Sequence, residues 1–344
     1  MEPGAERLGE VLGAARPEGG RRAVVVVGSG LYRGAGLPEA EPLANWAVLL
    51  DRLHAALGGT GAVPAAARMT DRFEWILRAR AEATGAKVSD VEDGACAAVA
   101  RLVRAATPRG PAPARVRALV DAGFLDLVTL NYDDLLCRAG RAVAEVLPRS
   151  APAGRSPRKR KDARDLARRL GFHWKVEGAN GPARVWHPHG TARWAGTVLL
   201  GTHRYGMAIA PAFAAFDRLK RAERRAVAAG GPAALAALQA RRELHGSGSW
   251  VELFAAPRPL VFLGCGLAPE ETLLWWALHL RARNFARRPA LRPPTLVLTL
   301  GAAGPPPHLQ HAPAGVEVCA FPTAAALWSA WDAALAAPLR PAPA

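Results

Sequence analysis

Two short stretches hold the side chains best suited to chemistry. In Thr129-Leu130-Asn131-Tyr132-Asp133, the residues Thr129, Asn131 and Asp133 alternate, so along an extended backbone all three face one side. In His187-Pro188-His189-Gly190, two imidazoles stand at the same spacing. A neutral imidazole beside an amide and a carboxylate suits general-base work on a hydroxyl or a water. Other chemistries lack parts. No serine or cysteine is well placed as a nucleophile. Asp133 and Asp134 are adjacent and point opposite ways, so they do not make a glycosidase-type pair. His187 and His189 have a metal-ligand spacing, but even with His203 a further ligand cannot be placed, and no metal is expected.

Both stretches end an apolar run, Leu127-Val128 before the first and Val185-Trp186 before the second. Val24–Val27 likewise runs into Gly28-Ser29-Gly30, and Leu260-Val261-Phe262-Leu263 into Gly264-Cys265-Gly266. Apolar runs without alternation suit strands buried on both faces of a parallel sheet. In open α/β sheets ligands sit at the carboxyl ends of the strands. Gly28 and Gly30 offer backbone N–H groups to a pyrophosphate, and Gly264 and Gly266 allow a ligand close approach. These ends are expected to converge on one nucleotide pocket. The glycines after Val27 do not keep the ordinary G-x-G-x-x-G spacing. Cys265 also reads as a small packing residue.

The remaining chain supplies the flanking layers. Residues 1–20 read as a lead-in with a short helix near 5–15. Residues 43–107 read as a helical insertion, with Leu43, Trp46, Leu49, Leu50 and Leu53 at helical spacing and Phe73 and Trp75 as core. A further helix is expected over 114–122. Residues 140–183 read as an exposed basic insertion containing Arg155, Arg158, Lys159, Arg160 and Lys161, either a solvated charge run or a contact to nucleic acid. A short strand is expected over 197–200. Two helices split at Gly230-Gly231-Pro232 fall in a third insertion, near 206–249. Strands Thr295–Leu300 and Val316–Phe321, helices over 270–283 and 325–336, and a disordered tail from 338 complete the reading. Strands separated by helices predict an α/β fold, a Rossmann-like parallel sheet flanked by helices, in one domain over 21–337.

Composition narrows the class. Half of the 344 residues are hydrophobic, enough for a sizeable core. The formal charge is +16, yet only five of the 45 basic residues are lysine, so GC-rich coding competes with a polyanion partner as its source. Cys96, Cys137, Cys265 and Cys319 form no C-x-x-C pair, which argues against a zinc ribbon or a disulfide scaffold. No apolar run suits a membrane span or a signal peptide, and a soluble cytoplasmic protein is expected.

Taken in order, these stretches resemble the sirtuin-like superfamily, specifically the bacterial zinc-free sirtuin-like domains, from about residue 23 to residue 321. Gly28-Ser29-Gly30 with Gly36-Leu37-Pro38 is similar to the family's Gly-Ala-Gly loop and its Gly-Leu/Ile-Pro. Thr129-Leu130-Asn131-Tyr132-Asp133 is similar to Thr-x-Asn-Tyr-Asp, His189-Gly190 to the catalytic His-Gly, and Gly264-Cys265-Gly266-Leu267 to a later Gly-x-Ser-Leu turn. The resemblance implies NAD as substrate, without metal, and cleavage of its nicotinamide–ribose bond. In that reading the catalytic residues are Asn131, Asp133 and His189. Asn131 orients the ribose and a water, Asp133 touches the carboxamide, and His189 is the base. Gly28, Ser29, Gly30, Gly36, Leu37, Pro38, Thr129, Tyr132, Gly264, Cys265, Gly266 and Thr299 bind the dinucleotide. Many zinc-free members hydrolyse NAD as anti-phage effectors, which implies restraint by oligomerisation or a regulatory partner. Binding of NAD or an ADP-ribose derivative without turnover, and ADP-ribosyl transfer, are the alternatives. The chain departs from the family at Tyr32 or Arg33, where serine or threonine is expected. It departs again at Gly266, where serine is usual, and at Pro269, where aspartate is usual, with Glu270 and Glu271 next.

Overall fold

Val24, Val25, Val26 and Val27 are all fully buried, and they divide between two cores. Val25 and Val27 join one apolar cluster and Val24 and Val26 another. Alternate side chains of a strand point to opposite faces, so a strand covered on both sides must be apolar throughout. The computed structural model describes residues 3–16, 19–34, 36–38, 41–64, 68–109, 112–146, 170–245, 248–286, 292–301 and 306–340.

The strands are β1 (Val24–Val27), β2 (Asp126–Thr129), β3 (Arg141–Val146), β4 (His173–Gly178), β5 (Gly181–Trp186), β6 (Leu260–Leu263), β7 (Thr295–Leu300) and β8 (Val316–Phe321). The helices are α1 (Pro3–Gly13), α2 (Gly30–Gly34), α3 (Trp46–Ala56), α4 (Met69–Thr84), α5 (Val88–Ala106), α6 (Ala114–Asp121), α7 (Leu135–Ala139), α8 (Gly201–His245), α9 (Trp250–Ala255), α10 (Thr272–Asn284) and α11 (Ala324–Ala336). They build the expected α/β, Rossmann-like fold. One sheet has the order β3-β4-β5-β2-β1-β6-β7-β8, parallel from β5 to β8. Helices α1, α3 to α7 and α11 pack on one face, and α8, α9 and α10 on the other.

Four expectations need correction. The insertion placed at 140–183 contains β3 and β4, which extend the sheet as an antiparallel pair beside β5. The basic run at 155–161 lies outside the described residues, as do residues 341–344 of the tail. The strand expected at 197–200 is instead a 3-10 turn, Ala195–Thr197, followed by extended chain without a strand partner. The helices expected near 206–249 begin at Gly201, so they include His203, Arg204 and Tyr205. Their kink falls where glycine and proline predict it, at Gly230 and Gly231. Residues 1–20 are more than a lead-in, since Leu8, Val11 and Leu12 of α1 are buried in the core.

The amino end of β2 is braced by a buried charge network. Asp126 accepts from Arg184 Nε and Nη2, both at 2.7 Å, from Trp186 Nε1 at 2.9 Å and from Arg258 Nη1 at 2.5 Å. Burial alone would raise its pKa. The two guanidinium charges and their hydrogen bonds outweigh burial and hold the carboxyl well below the usual range. Among the described residues, no helix is long and apolar enough to cross a membrane.

Candidate active site

Strands β2 and β5 are parallel neighbours, with Val128 opposite Trp186, so the loops that follow them leave the sheet side by side. Ala192 N donates to Tyr132 O at 2.7 Å and ties the two loops together. Gly190 has φ +85, and a Cβ there would collide with the carbonyl of Thr197. Only glycine therefore lets the 195–197 turn close behind His189. Leu199 N donates to His189 O at 2.8 Å and completes the clamp.

The imidazole of His189 is fully buried. Its Nε2 lies 3.1 Å from Glu271 Oε2, off the line of a directed hydrogen bond, and its Nδ1 has no polar partner. The Tyr205 hydroxyl donates to the same carboxylate oxygen at 3.1 Å. Burial first, and then the Glu271 charge, hold the Tyr205 phenol well above its ordinary pKa, so it remains a donor. The Tyr205 ring sits 5.6 Å from the imidazole, and Trp46 covers the site, 6.2 Å from His189 and stacked 5.9 Å from Tyr132.

Glu271 was absent from the expected site. The turn from β6 to α10 brings it in. Gly264, Gly266 and Leu267 all have positive φ, and Leu267 is a buried non-glycine residue at φ +44. Backbone in that region is strained by about 1–3 kcal/mol and recurs at functional sites. Trp275 Nε1 and Glu271 N, each at 3.0 Å, donate to Ala268 O and pin the turn. The sequence signal was the Glu270-Glu271 pair at the start of a helix. Trp46 had only helical spacing to show, which reads as core, and Tyr205 fell just before the insertion expected near 206–249.

At the end of β2, the Thr129 hydroxyl accepts from Asn131 N at 3.1 Å, so it turns the chain. Asn131 Nδ2 is buried without a partner. Asp133 Oδ1 accepts from the Tyr32 hydroxyl at 2.6 Å and from Leu135 N at 2.9 Å, while Oδ2 has no partner. Burial pushes the Asp133 carboxyl up to about 6, against the bonds from Tyr32 and Leu135. Tyr32, a departure from the resembled pattern, thus positions a predicted site residue. Tyr132, expected among the dinucleotide-binding residues, instead turns into the core, and its hydroxyl donates to Leu199 O at 2.7 Å.

The glycine loop differs from expectation. Gly28 N donates to Leu263 O at 3.1 Å and Gly30 N to Gly264 O at 2.9 Å, so these N–H groups already have acceptors. A Cβ on Gly28 would lie 2.6 Å from Gly264 O, and one on Gly264 would lie 2.5 Å from Leu31 N. These glycines let two loops pack backbone to backbone across the β1–β6 crevice. Ser29 is partly buried at the start of the α2 turn. Gly36, at φ +88, caps α2: its N–H donates to Arg33 O and that of Leu37 to Tyr32 O, while Gly36 and Pro38 are exposed. Cys265 Sγ donates to Val26 O at 3.1 Å, a packing role between strand ends. Thr299 is buried with its hydroxyl unpartnered, three strands from β2, about 14 Å by strand spacing.

His187 is corrected as well. Expected on the face of His189, it contacts Cys137 Sγ at 3.8 Å and the ring of Phe172 at 6.3 Å. Burial lowers its pKa to about 4 and keeps it neutral. Among the described residues, no three His, Cys, Asp or Glu side chains gather as a metal site.

No protein-family model matches this chain, and no curated protein matches it. The chemistry therefore rests on the geometry. A carboxylate-facing imidazole, a buried amide and a half-satisfied carboxyl stand in the loops after two adjacent strands, residue types suited to moving a proton at a polar ligand.

Proposed function

We propose that this chain is an NAD glycohydrolase that cleaves the nicotinamide–ribose bond, acting as an anti-phage defence effector. One observation carries the reading. Asn131 Nδ2, Asp133 Oδ2 and His189 Nδ1 are buried, unpartnered and on adjacent strand ends. Buried polar atoms without partners are rare, and a ligand's polar groups would satisfy these.

In this reading the carboxamide of nicotinamide meets Asp133, and Asn131 orients the ribose and a water. The glycosidic C–N bond breaks and nicotinamide leaves with the bonding pair. Water adds to the oxocarbenium-like ribose and its proton passes to His189. Glu271 stabilises the imidazolium so formed, and Tyr205 holds Glu271 in place. The products are nicotinamide, ADP-ribose and one proton. Full burial of His189 beneath Trp46 supports an enzyme closed at rest, as a depleting effector requires, with opening left to self-association or a partner protein.

A second reading is binding of NAD or an ADP-ribose derivative without turnover. It is favoured by the lack of a directed hydrogen bond between Glu271 and His189 Nε2, which leaves the imidazole without the orientation that base chemistry needs. ADP-ribosyl transfer would use the same centre with another acceptor in place of water. Incubation of the purified chain with NAD separates the readings by chromatography. Release of nicotinamide that falls about 10²–10⁴-fold in His189→Ala supports hydrolysis, the range for a lost general base. Release that is equal in wild type, His189→Ala and Asn131→Ala refutes the assigned roles.

A further inference from the structure

We propose that the open cleft beside the β2 strand end binds a phosphate-bearing small molecule through Arg104, Arg109, Arg138 and Arg193. The cleft measures about 740 Å³. Small-molecule sites span roughly 300–1,000 Å³. Tyr132 and Asp133 line it, so it reaches the edge of the His189 centre without including it. Arg104 and Arg109 come from the end of α5 and the loop beyond, Arg138 from α7 and Arg193 from the loop after β5. Trp174 of β4 forms another wall.

Four arginines face two lining carboxylates, Asp133 and Asp134. Each guanidinium carries five N–H donors, and each is engaged lightly here. Among the described residues, Arg104 Nη1 donates to Ala192 O, Arg138 Nε to Asp134 at 2.9 Å and Arg193 Nη2 to Glu145 at 2.6 Å. Arg138 Nη2 is buried without a partner, and Arg109 is exposed. These single bonds orient the guanidinium groups and leave most donors for a ligand. Planar forks with fixed direction match phosphate oxygens. Arg193 also lies over the Trp174 ring at 5.3 Å, which presents an aromatic surface next to the charge. The inference is independent of NAD cleavage, since none of the four arginines belongs to the His189 centre.

Calorimetric titration of the full chain with inorganic pyrophosphate, ADP and ADP-ribose tests it. Arg109→Glu carries little folding risk because the side chain is exposed, and Arg104→Ala/Arg193→Ala removes two anchors. The expected result is binding that weakens with salt and loses about tenfold or more in affinity in either variant. A tryptophan fluorescence change on binding is expected to disappear in Trp174→Phe. His189→Ala is expected to bind as wild type does, so a failure of NAD cleavage leaves this proposal standing. Pyrophosphate binding alone supports a bare phosphate site; ADP or ADP-ribose binding more tightly supports a nucleotide. No binding of any probe, affinity equal to wild type in both arginine variants, or binding of a polyglutamate peptide in place of all three probes overturns it.

Discussion

Asp126 opens β2 and Asp133 lies in the loop beyond its carboxyl end; both are buried, and their carboxyls are driven in opposite directions. Asp126 has every oxygen occupied by Arg184, Arg258 and Trp186, and its pKa is held below the usual range. Asp133 has one oxygen bonded and one bare, and burial raises it to about 6. Burial is common to both, so the neighbours decide the sign. The amino end is built for stability. The carboxyl end keeps unsatisfied groups, as expected where a sheet leaves room for chemistry.

The largest test of this contrast is Asp126→Ala. It leaves Arg184 and Arg258 buried without their carboxylate, and is expected to cost about 3–5 kcal/mol in urea unfolding. Because the folded pKa is depressed, the contribution of Asp126 is complete above its ordinary value near 4 and is lost as pH falls through the folded value. A loss near zero at neutral pH would remove the contrast.

Asp133→Asn is expected to act with the opposite sign. The folded carboxyl holds its proton up to about pH 6 and the unfolded one up to about 4. Folding therefore loses stability as pH rises from about 4 to 6, and the deficit persists above. The amide removes it, for a gain of about 3 kcal/mol at pH 8 and none at pH 4, read from paired denaturation curves. Nicotinamide release should fall in the same variant. A variant less stable than wild type at pH 8 would show that Asp133 is a structural group like Asp126.

Tyr32→Phe is a smaller change, about 1 kcal/mol, since it deletes one buried hydrogen bond. That bond holds the Asp133 carboxyl down, so its loss should move any acid limb of the activity profile to higher pH. An unmoved profile would detach Tyr32 from the site. The smallest effect belongs to Asp134→Asn, the adjacent carboxylate, which is half exposed and paired with Arg138. It should change stability by less than about 0.5 kcal/mol, as surface pairs do.

Much of the architecture was legible because strands buried on both faces must be apolar throughout. The runs ending at Val27, Trp186 and Leu263 announced a covered parallel sheet, and helical spacing announced α3, α5 and α10. The hairpin of β3 and β4 was not legible. Its exposed strand Arg141–Val146 has no core face, so its residues carry no burial pattern to read. The strand misread at 197–200 has the opposite cause: Val198, Leu199 and Leu200 are fully buried yet serve as packing behind His189.

For the site, the residues themselves singled out Asn131, Asp133 and His189, because polar side chains interrupting apolar strands at their carboxyl ends are visible in one dimension. Their partners were not. Glu271 lies 82 residues beyond His189 in number and reaches it only through a turn with three left-handed residues. Tyr32 lies a hundred residues before Asp133 and meets it only because β1 and β2 pair in register. The glycines were read from sequence as phosphate ligands, whereas the fold uses them to let two backbones touch. Local composition determines which segments can be strands and which side chains can hold a proton. The long-range packing decides which backbone donors are already occupied, which carboxylate stands behind the imidazole, and which way each buried carboxyl titrates.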